Sequence, residues 1–270
     1  MCGRSRQTVA PESLASAVGF SANVPLRRAS QYRRRENACP GSATPIAYKT
    51  STGGNALRSM RWGLVPSFTK RGERPDFFRM FNARSETAAE KPSFRGLVGR
   101  RHGVVAFTGF YEWKRDDKGE RQPYYFHFAD NRPMLFAVLY DTWKHGGGFV
   151  VRNDGDDNHG SGPGSTNDGG ESEKAAAAAA AAAAKSTSTS AAMSSPTKST
   201  KSGAHEQEER RKQATLKLQE VEDQGQSIMF SYAVLTTSAA PRLTWLHERM
   251  PIILRGAQDA AAWLTCKGAE

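Results

Sequence analysis

Four short stretches of this sequence carry side chains able to form and break bonds. The first is Met1-Cys2-Gly3-Arg4. A cysteine next to an initiator methionine is small enough to permit removal of that methionine, which leaves one residue bearing both a free α-amine and a thiol. The amine titrates near pKa ~7.7 to 8 and the thiol near ~8.5, so both nucleophiles are partly available at neutral pH. Such a 1,2-aminothiol captures an aldehyde: the nitrogen forms an imine and the sulfur then closes a five-membered thiazolidine. Taken alone, Cys2 reads more simply as an incidental residue in a frayed terminus. The second stretch holds Asn82 and Arg84. Their surroundings place them where a strand or loop enters a helix N-terminus, offering backbone donors and a guanidinium to an anion such as a phosphate. Taken one at a time, Asn82 is a helix cap and Arg84 a solvated charge. The third is Glu112, which interrupts the apolar and aromatic series Gly109-Phe110-Tyr111-Glu112-Trp113. A carboxyl there is either ion-paired or partly desolvated with a raised pKa, the condition a general acid/base needs. The fourth is His247, at the end of an amphipathic turn shortly before Pro251; a single histidine is a weak signal until it has partners.

The elements that must position these groups follow from turn residues and apolar periodicity. A helix start at 8–12 leads through Leu14, Ala17 and Val18 to Gly19 and would anchor the N-terminal arm. Residues 21–54 are turn-rich and basic, with one short strand expected near 45–48. Residues 57–66 alternate as a strand ending at a Gly/Pro turn flanked by Trp62 and Phe68. Aromatics beside arginines suit base stacking over a phosphate-binding surface, although a tryptophan at a strand end is more often core. A helical stretch around Ala88 and Ala89 is expected to be interrupted by Pro92. Beyond it, 103–107 reads as a buried strand, 116–120 as a hairpin turn, 123–128 and 134–140 as two core strands, 228–237 as a hydrophobic central strand and 257–264 as a helix.

Only 38% of the 270 residues are hydrophobic, which is low for a chain packed along its whole length. The deficit has an obvious place. Residues 146–226 are rich in Gly, Ser, Thr and Asp, contain ten consecutive alanines at 175–184, and end in a charged segment that suits an exposed helix. The alanine tract has no amphipathic face to bury. This region reads as a disordered insertion joining two adjacent strands, so that 1–145 and 227–270 form two parts of one domain.

From 153 to 226 there are 8 Lys and Arg against 12 Asp and Glu, a local net of −4, which leaves +15 for the rest of a chain whose net charge is +11. A foldable part this basic attracts polyanions by counterion release, and the same charge also serves plain solubility. Cys2, Cys39 and Cys266 show neither disulfide nor metal-ligand spacing, so no zinc site and no cofactor are expected. With no signal peptide and no apolar run long enough to cross a membrane, the chain reads as soluble, intracellular and monomeric. The low-complexity insertion suggests a eukaryotic source and a nuclear setting, without an unambiguous localisation signal.

Five motifs then fall into place together: Met1-Cys2-Gly3-Arg4, 60–66 (Met-Arg-Trp-Gly-Leu-Val-Pro), 82–87 (Asn-Ala-Arg-Ser-Glu-Thr), 109–113 (Gly-Phe-Tyr-Glu-Trp) and 247–251 (His-Glu-Arg-Met-Pro). In order and approximate spacing the sequence resembles the SRAP family, the SOS response-associated peptidase-like proteins that act as abasic-site processing and crosslinking proteins. The resemblance covers nearly all of the chain outside the insertion. It implies a single α+β domain on a curved, barrel-like, mainly antiparallel β-sheet with flanking helices and a basic groove for single-stranded DNA. It also implies that the catalytic cysteine is Cys2 once Met1 is lost, with Asn82, Glu112 and His247 as the other catalytic residues. Arg4 and Arg84 match the phosphate-contacting arginines and Trp62 the tryptophan of the Trp-Gly-Leu-Val-Pro motif; Phe68, beside the same turn, joins them as a candidate DNA contact. Cys39, ahead of Pro40-Gly41, stands where the family has alanine or serine, and the chain stops at Glu270, short of a further strand and Asn-rich loop. A shortened chain of that kind is expected to bind DNA less tightly.

The implied chemistry is capture of the ring-opened aldehyde of an abasic site by Cys2, with release of Met1 by the domain itself and β-elimination of the imine as a lyase outcome. Two other classes use the same residues. A cysteine peptidase or amidohydrolase acting on external peptides would take Cys2, His247 and Asn82 as nucleophile, base and orienting amide. A non-catalytic single-strand-binding module would need the basic groove alone.

Overall fold

The computed structural model describes residues 3–145 and 228–266. Met1 and Cys2, the insertion expected over 146–226, and the last four residues lie outside the described residues.

The chain opens with β1 (Arg4–Gln7), buried at alternate positions, and then α1 (Pro11–Ala17), with Pro11 at the first helical position where its missing N–H costs nothing. Two short strands, β2 (Leu26–Arg27) and β3 (Arg35–Ala38), precede β4 (Ala43–Lys49) and β5 (Asn55–Trp62), so the basic loop region holds more strand than the single one expected. Next come β6 (Asn82–Arg84) and α2 (Pro92–Arg95), where Pro92 starts the helix instead of interrupting one. Residues 85–90, expected to be helical, are turns, so no helix N-terminus follows Asn82 and Arg84. The rest is β7 (His102–Phe107), β8 (Gly109–Arg115), β9 (Arg121–Phe126), β10 (Met134–Lys144), β11 (Ile228–Ser238), β12 (Arg249–Pro251), β13 (Ile253–Leu254) and α3 (Ala257–Thr265).

Five strands close into a barrel. β11, β10, β7, β4 and β5 are neighbours in that order, each junction antiparallel, and β5 returns to β11 in parallel at Ser231↔Arg61 and Tyr232↔Trp62. Closure leaves these strands without a free edge. The period-two pattern divides the apolar side chains between two faces. Ile46, Tyr48, Met60, Trp62, Val105, Phe107, Phe136, Val138, Tyr232 and Val234 form one continuous core within the barrel. Their alternates Ala47, Leu57, Val104, Ala106 and Leu135 pack outward against Leu14 of α1, Val18 at its C-terminal cap, and Ala260 and Leu264 of α3. A third cluster covers Ala137, Leu139, Ala233 and Leu235 with Phe94 and Leu97. β10 and β11 pair as far as Lys144↔Ile228, so the chain leaves and re-enters the barrel at the same point.

A second sheet, in the order β3-β1-β8-β9, sits against the barrel. Phe110 of β8 belongs to the barrel core, stacks on Phe126 at 5.1 Å and meets Phe136 edge-on at 5.9 Å. The buried Gln7 fastens β1: its Nε2 donates to the Ala43 carbonyl at 2.7 Å and its Oε1 accepts from Thr44 Oγ1 at 2.9 Å, while Thr44 accepts from the Tyr232 hydroxyl at 3.1 Å. The start of the chain is thereby tied to the barrel interior through satisfied polar contacts.

Candidate functional site

β1 and β8 run antiparallel, with Arg4 opposite Tyr111, Ser5 opposite Phe110 and Arg6 opposite Gly109. The chain therefore enters its first strand beside Glu112. On its other side β8 approaches β9 closely enough to require a glycine: a Cβ at Gly109 would lie 2.4 Å from the Phe126 carbonyl oxygen. Because side chains alternate along β8, Glu112 shares the barrel-directed face with Phe110, while Tyr111 turns away to pack at a tilt against Tyr125 and donate to the Glu36 carbonyl at 3.2 Å. Glu112 is 7% exposed, and burial pushes its carboxyl above the usual range. The apolar surroundings that sequence reading noticed are thus real, and of the two alternatives left open for this carboxyl, desolvation dominates.

Asn82 opens β6, which runs parallel to β11 with Val234↔Asn82 and Thr236↔Arg84. The expected anion cradle at a helix N-terminus is therefore replaced by a strand end, with Arg84 exposed. The residue that fixes this strand is Trp62. Its ring is 0% exposed, and its indole N–H donates to the Phe81 carbonyl at 3.0 Å, the same oxygen that accepts from the Val234 N–H at 2.9 Å. A fully enclosed ring has no face to offer a base, so the expected stacking role of Trp62 is corrected to that of a core anchor one residue from Asn82.

Phe68, in contrast, is 68% exposed. Its loop is held from below: the Ser67 N–H donates to the buried Asp141 carboxylate at 2.8 Å, and Trp143 Nε1 donates to the Thr69 carbonyl at 2.8 Å. The loop begins at Gly63, whose φ of +111° and whose Cβ position, 2.2 Å from the Phe77 carbonyl oxygen, suit glycine.

His247 follows a 3₁₀ turn, its N–H donating to the Leu243 carbonyl at 3.1 Å. Its Nδ1 accepts from the Arg249 backbone N–H at 2.9 Å. An accepting Nδ1 places the ring proton on Nε2, so the neutral imidazole presents a donor; burial also lowers its pKa, which favours this neutral form. The Arg249 side chain then locks the neighbourhood. It forks onto Glu86 at 2.9 and 2.8 Å and donates to the Thr236 carbonyl at 2.7 Å, joining the turn after β6 to the start of β12. This pairing holds the Glu86 carboxyl down to about 2. Arg249→Ala is accordingly expected to raise amide hydrogen exchange by roughly tenfold or more at 84–86 and 247–251, with little change in the barrel strands; exchange followed by mass spectrometry checks it.

Trp245 joins the two halves of the site. It meets Tyr124 edge-on at 4.9 Å, and Tyr124 is the cross-strand partner of Glu112. Glu112 and the His247 turn are thereby linked through two aromatic rings, Asn82 and His247 through Glu86 and Arg249, and Arg4 lies in the strand alongside. Cys2, the remaining catalytic candidate, lies outside the described residues. Glu86 and Arg249 stand in two of the five motifs, but their pairing, like the parts of Asp141, Trp143 and Trp245, is visible only in the structure. Opposite charges within two of the five motifs were the available signal. Among the described residues no group of three or more His, Cys, Asp or Glu is placed to hold a metal ion, and no helix is long and apolar enough to cross a membrane.

The model of the family described as SOS response associated peptidase (SRAP) matches residues 1–159 and 204–270. The chain belongs to this family. Among its relatives, the abasic site processing protein YobE of Bacillus subtilis is 39% identical over 90 residues, which cover 33% of this chain and 40% of that protein. The abasic site processing protein HMCES of Mus musculus is 26% identical over 280 residues, which cover 98% of this chain and 64% of the mouse protein. The chain thus spans less than two thirds of the length of either relative. The fold has a solved counterpart in a protein from Bacteroides thetaiotaomicron, with a TM-score of 0.56 and 18% identity over 97% of this chain and 81% of that one. The α+β barrel with its second sheet is therefore the architecture the family resemblance implied.

Proposed function

We propose that the chain recognises abasic sites in single-stranded DNA and captures them covalently through Cys2 after loss of Met1. The observation that carries this reading is a buried Glu112, its pKa raised by desolvation, beside the start of β1 and tied through Tyr124 and Trp245 to a neutral His247. The names borne by the bacterial and mouse relatives support the lesion as substrate.

An abasic site exists partly as a ring-opened aldehyde. In the proposed sequence the His247 Nε2–H hydrogen-bonds the departing ring oxygen, and a carboxylate at Glu112 takes a proton from the α-ammonium of Cys2. The freed amine adds to C1′ to give a carbinolamine. Glu112, now protonated, returns its proton to the hydroxyl, which leaves as water, and an iminium forms. The thiol sulfur then adds to the same carbon while its proton passes to solvent, closing the thiazolidine. Aldehyde plus aminothiol thus gives thiazolidine plus one water. A carboxyl whose pKa is raised by burial holds and returns a proton more readily than a solvated one, which suits both proton transfers. Asn82 orients the terminus. Arg4 and Arg84 hold phosphates, and the exposed Phe68 offers a face to a base, so little sequence preference is expected beyond the lesion. Loss of Met1 through the same groups, and β-elimination from the imine before the ring closes, are the hydrolytic and lyase branches of this chemistry.

The test is mass spectrometry of the adduct after nuclease and protease digestion. The expected fragment is the N-terminal peptide beginning at Cys2, carrying a deoxyribose remnant with one water lost and no free thiol. An adduct on any lysine, or one whose cysteine still alkylates, contradicts the reading.

A further inference from the structure

Trp245 is a large apolar ring left 47% exposed, with Lys114 Nζ at 5.2 Å from its ring centroid and Tyr124 braced against it edge-on at 4.9 Å. An indole costs hydration free energy in such a position, and nothing in the packing of the barrel requires it there. Its location is specific. It lies two residues before His247, and the tyrosine that braces it is paired with Glu112 across β8 and β9. The T-shaped contact braces the ring, which keeps about half of its surface exposed, and Lys114, itself exposed on β8, sets its ammonium over the ring. A rigid aromatic plane beside a lysine, in a fold this basic, matches a nucleobase with its attached phosphate.

Building on the abasic-site reading above, we infer that Trp245 is the stacking platform for the nucleobase adjacent to the abasic position, with Lys114 neutralising its phosphate. Stacking on an indole grows with the area of the base, so the site favours a purine over a pyrimidine as the neighbour of the lesion. This gives the protein a context preference that recognition of a missing base cannot supply by itself. Trp245 is here a positioning residue: it sets where the strand lies relative to Glu112 and His247 without touching the reacting carbon.

The test uses the full chain and fluorescein-labelled single-stranded DNA carrying a tetrahydrofuran abasic analogue, which has no aldehyde and so reports binding alone. The neighbour on each side is varied in turn between adenine and thymine, and affinities are read by anisotropy for wild type, Trp245→Ala and Trp245→Phe. Wild type is expected to bind several-fold more tightly with adenine on one side of the lesion. Trp245→Ala is expected to lose roughly tenfold in affinity and all of the adenine preference, and Trp245→Phe to recover most of both. Because the ring is exposed, neither variant is expected to unfold, and a thermal melt controls for this. If Trp245→Ala binds like wild type, with the same dependence on the neighbouring base, the inference is overturned while abasic-site recognition stands. If wild type does not distinguish analogue-containing DNA from intact DNA, the underlying reading and this inference fall together.

Discussion

Replacing Glu112 with glutamine is expected to slow covalent capture of abasic single-stranded DNA by about a hundredfold or more, in line with the loss of a positioned general acid/base. The same change is expected to stabilise the fold at neutral pH. Burial raises the Glu112 pKa in the native state, so the native protein binds its proton more tightly than the unfolded chain does. Stability contributed by this group is present in full below the unfolded carboxylate range, near pH ~4.3, and is lost as pH rises through the higher native value. Glutamine keeps the shape and removes the charge. The thermal midpoint of Glu112→Gln should therefore match wild type near pH ~4, exceed it by a margin that grows as pH rises through the native pKa and then stay constant, while its reaction loses the pH dependence due to this carboxyl. Single-turnover rates and thermal melts across the same pH series check both halves. A variant that reacts at the wild-type rate removes Glu112 from the chemistry, and one that is less stable at neutral pH contradicts the burial argument.

Trp62→Ala is expected to cost about 3–5 kcal/mol of stability, the range for truncating a fully enclosed aromatic, and on the order of 10 °C in thermal midpoint. The ring packs against Phe81 at 6.3 Å and Phe107 at 5.8 Å, and its N–H satisfies the Phe81 carbonyl immediately before Asn82. Losing it leaves a cavity in the barrel and a weakened hold on β6. A tryptophan whose business was stacking on DNA would give the opposite pattern, with affinity lost and the melting curve unchanged. Trp62→Phe separates cavity from hydrogen bond, since it restores most of the volume but not the donor; an intermediate loss is expected. Chemical denaturation of the three proteins, alongside their affinity for the abasic analogue, decides between the two roles.

Much of the scaffold was legible because the barrel strands carry their instructions locally. β7, β10 and β11 show unbroken apolar runs bounded by turn residues, and α3 is legible to within a residue of its observed end. Closure was not legible. It depends on the parallel pairing of Arg61 and Trp62 with Ser231 and Tyr232, residues far apart in sequence whose registration is set by the whole barrel. The site divided along the same line. Glu112 announced itself because one charge in an aromatic strand is a local anomaly. Trp62 was misassigned because exposure depends on what lies opposite, and alternation with Met60 and Arg58 alone does not reveal that the face is interior. The helix expected after Asn82 is replaced by turns, and Glu86 within them pairs with Arg249 from the other end of the chain, a contact that local sequence cannot show. Trp245 escaped notice because an exposed aromatic has meaning only once its neighbours are known, and those come from β8 and β9.

The most direct measurement of the central claim is denaturing gel electrophoresis of the purified protein mixed with single-stranded DNA carrying one abasic site, beside intact DNA and the Cys2→Ala variant, with intact mass recorded to show that Met1 is gone. A slow band that survives denaturation without added reductant, requires the abasic site and is absent with Cys2→Ala is the expected result. A protein that has lost Met1 and forms no such band, or a band of equal strength with Cys2→Ala, contradicts capture through the aminothiol.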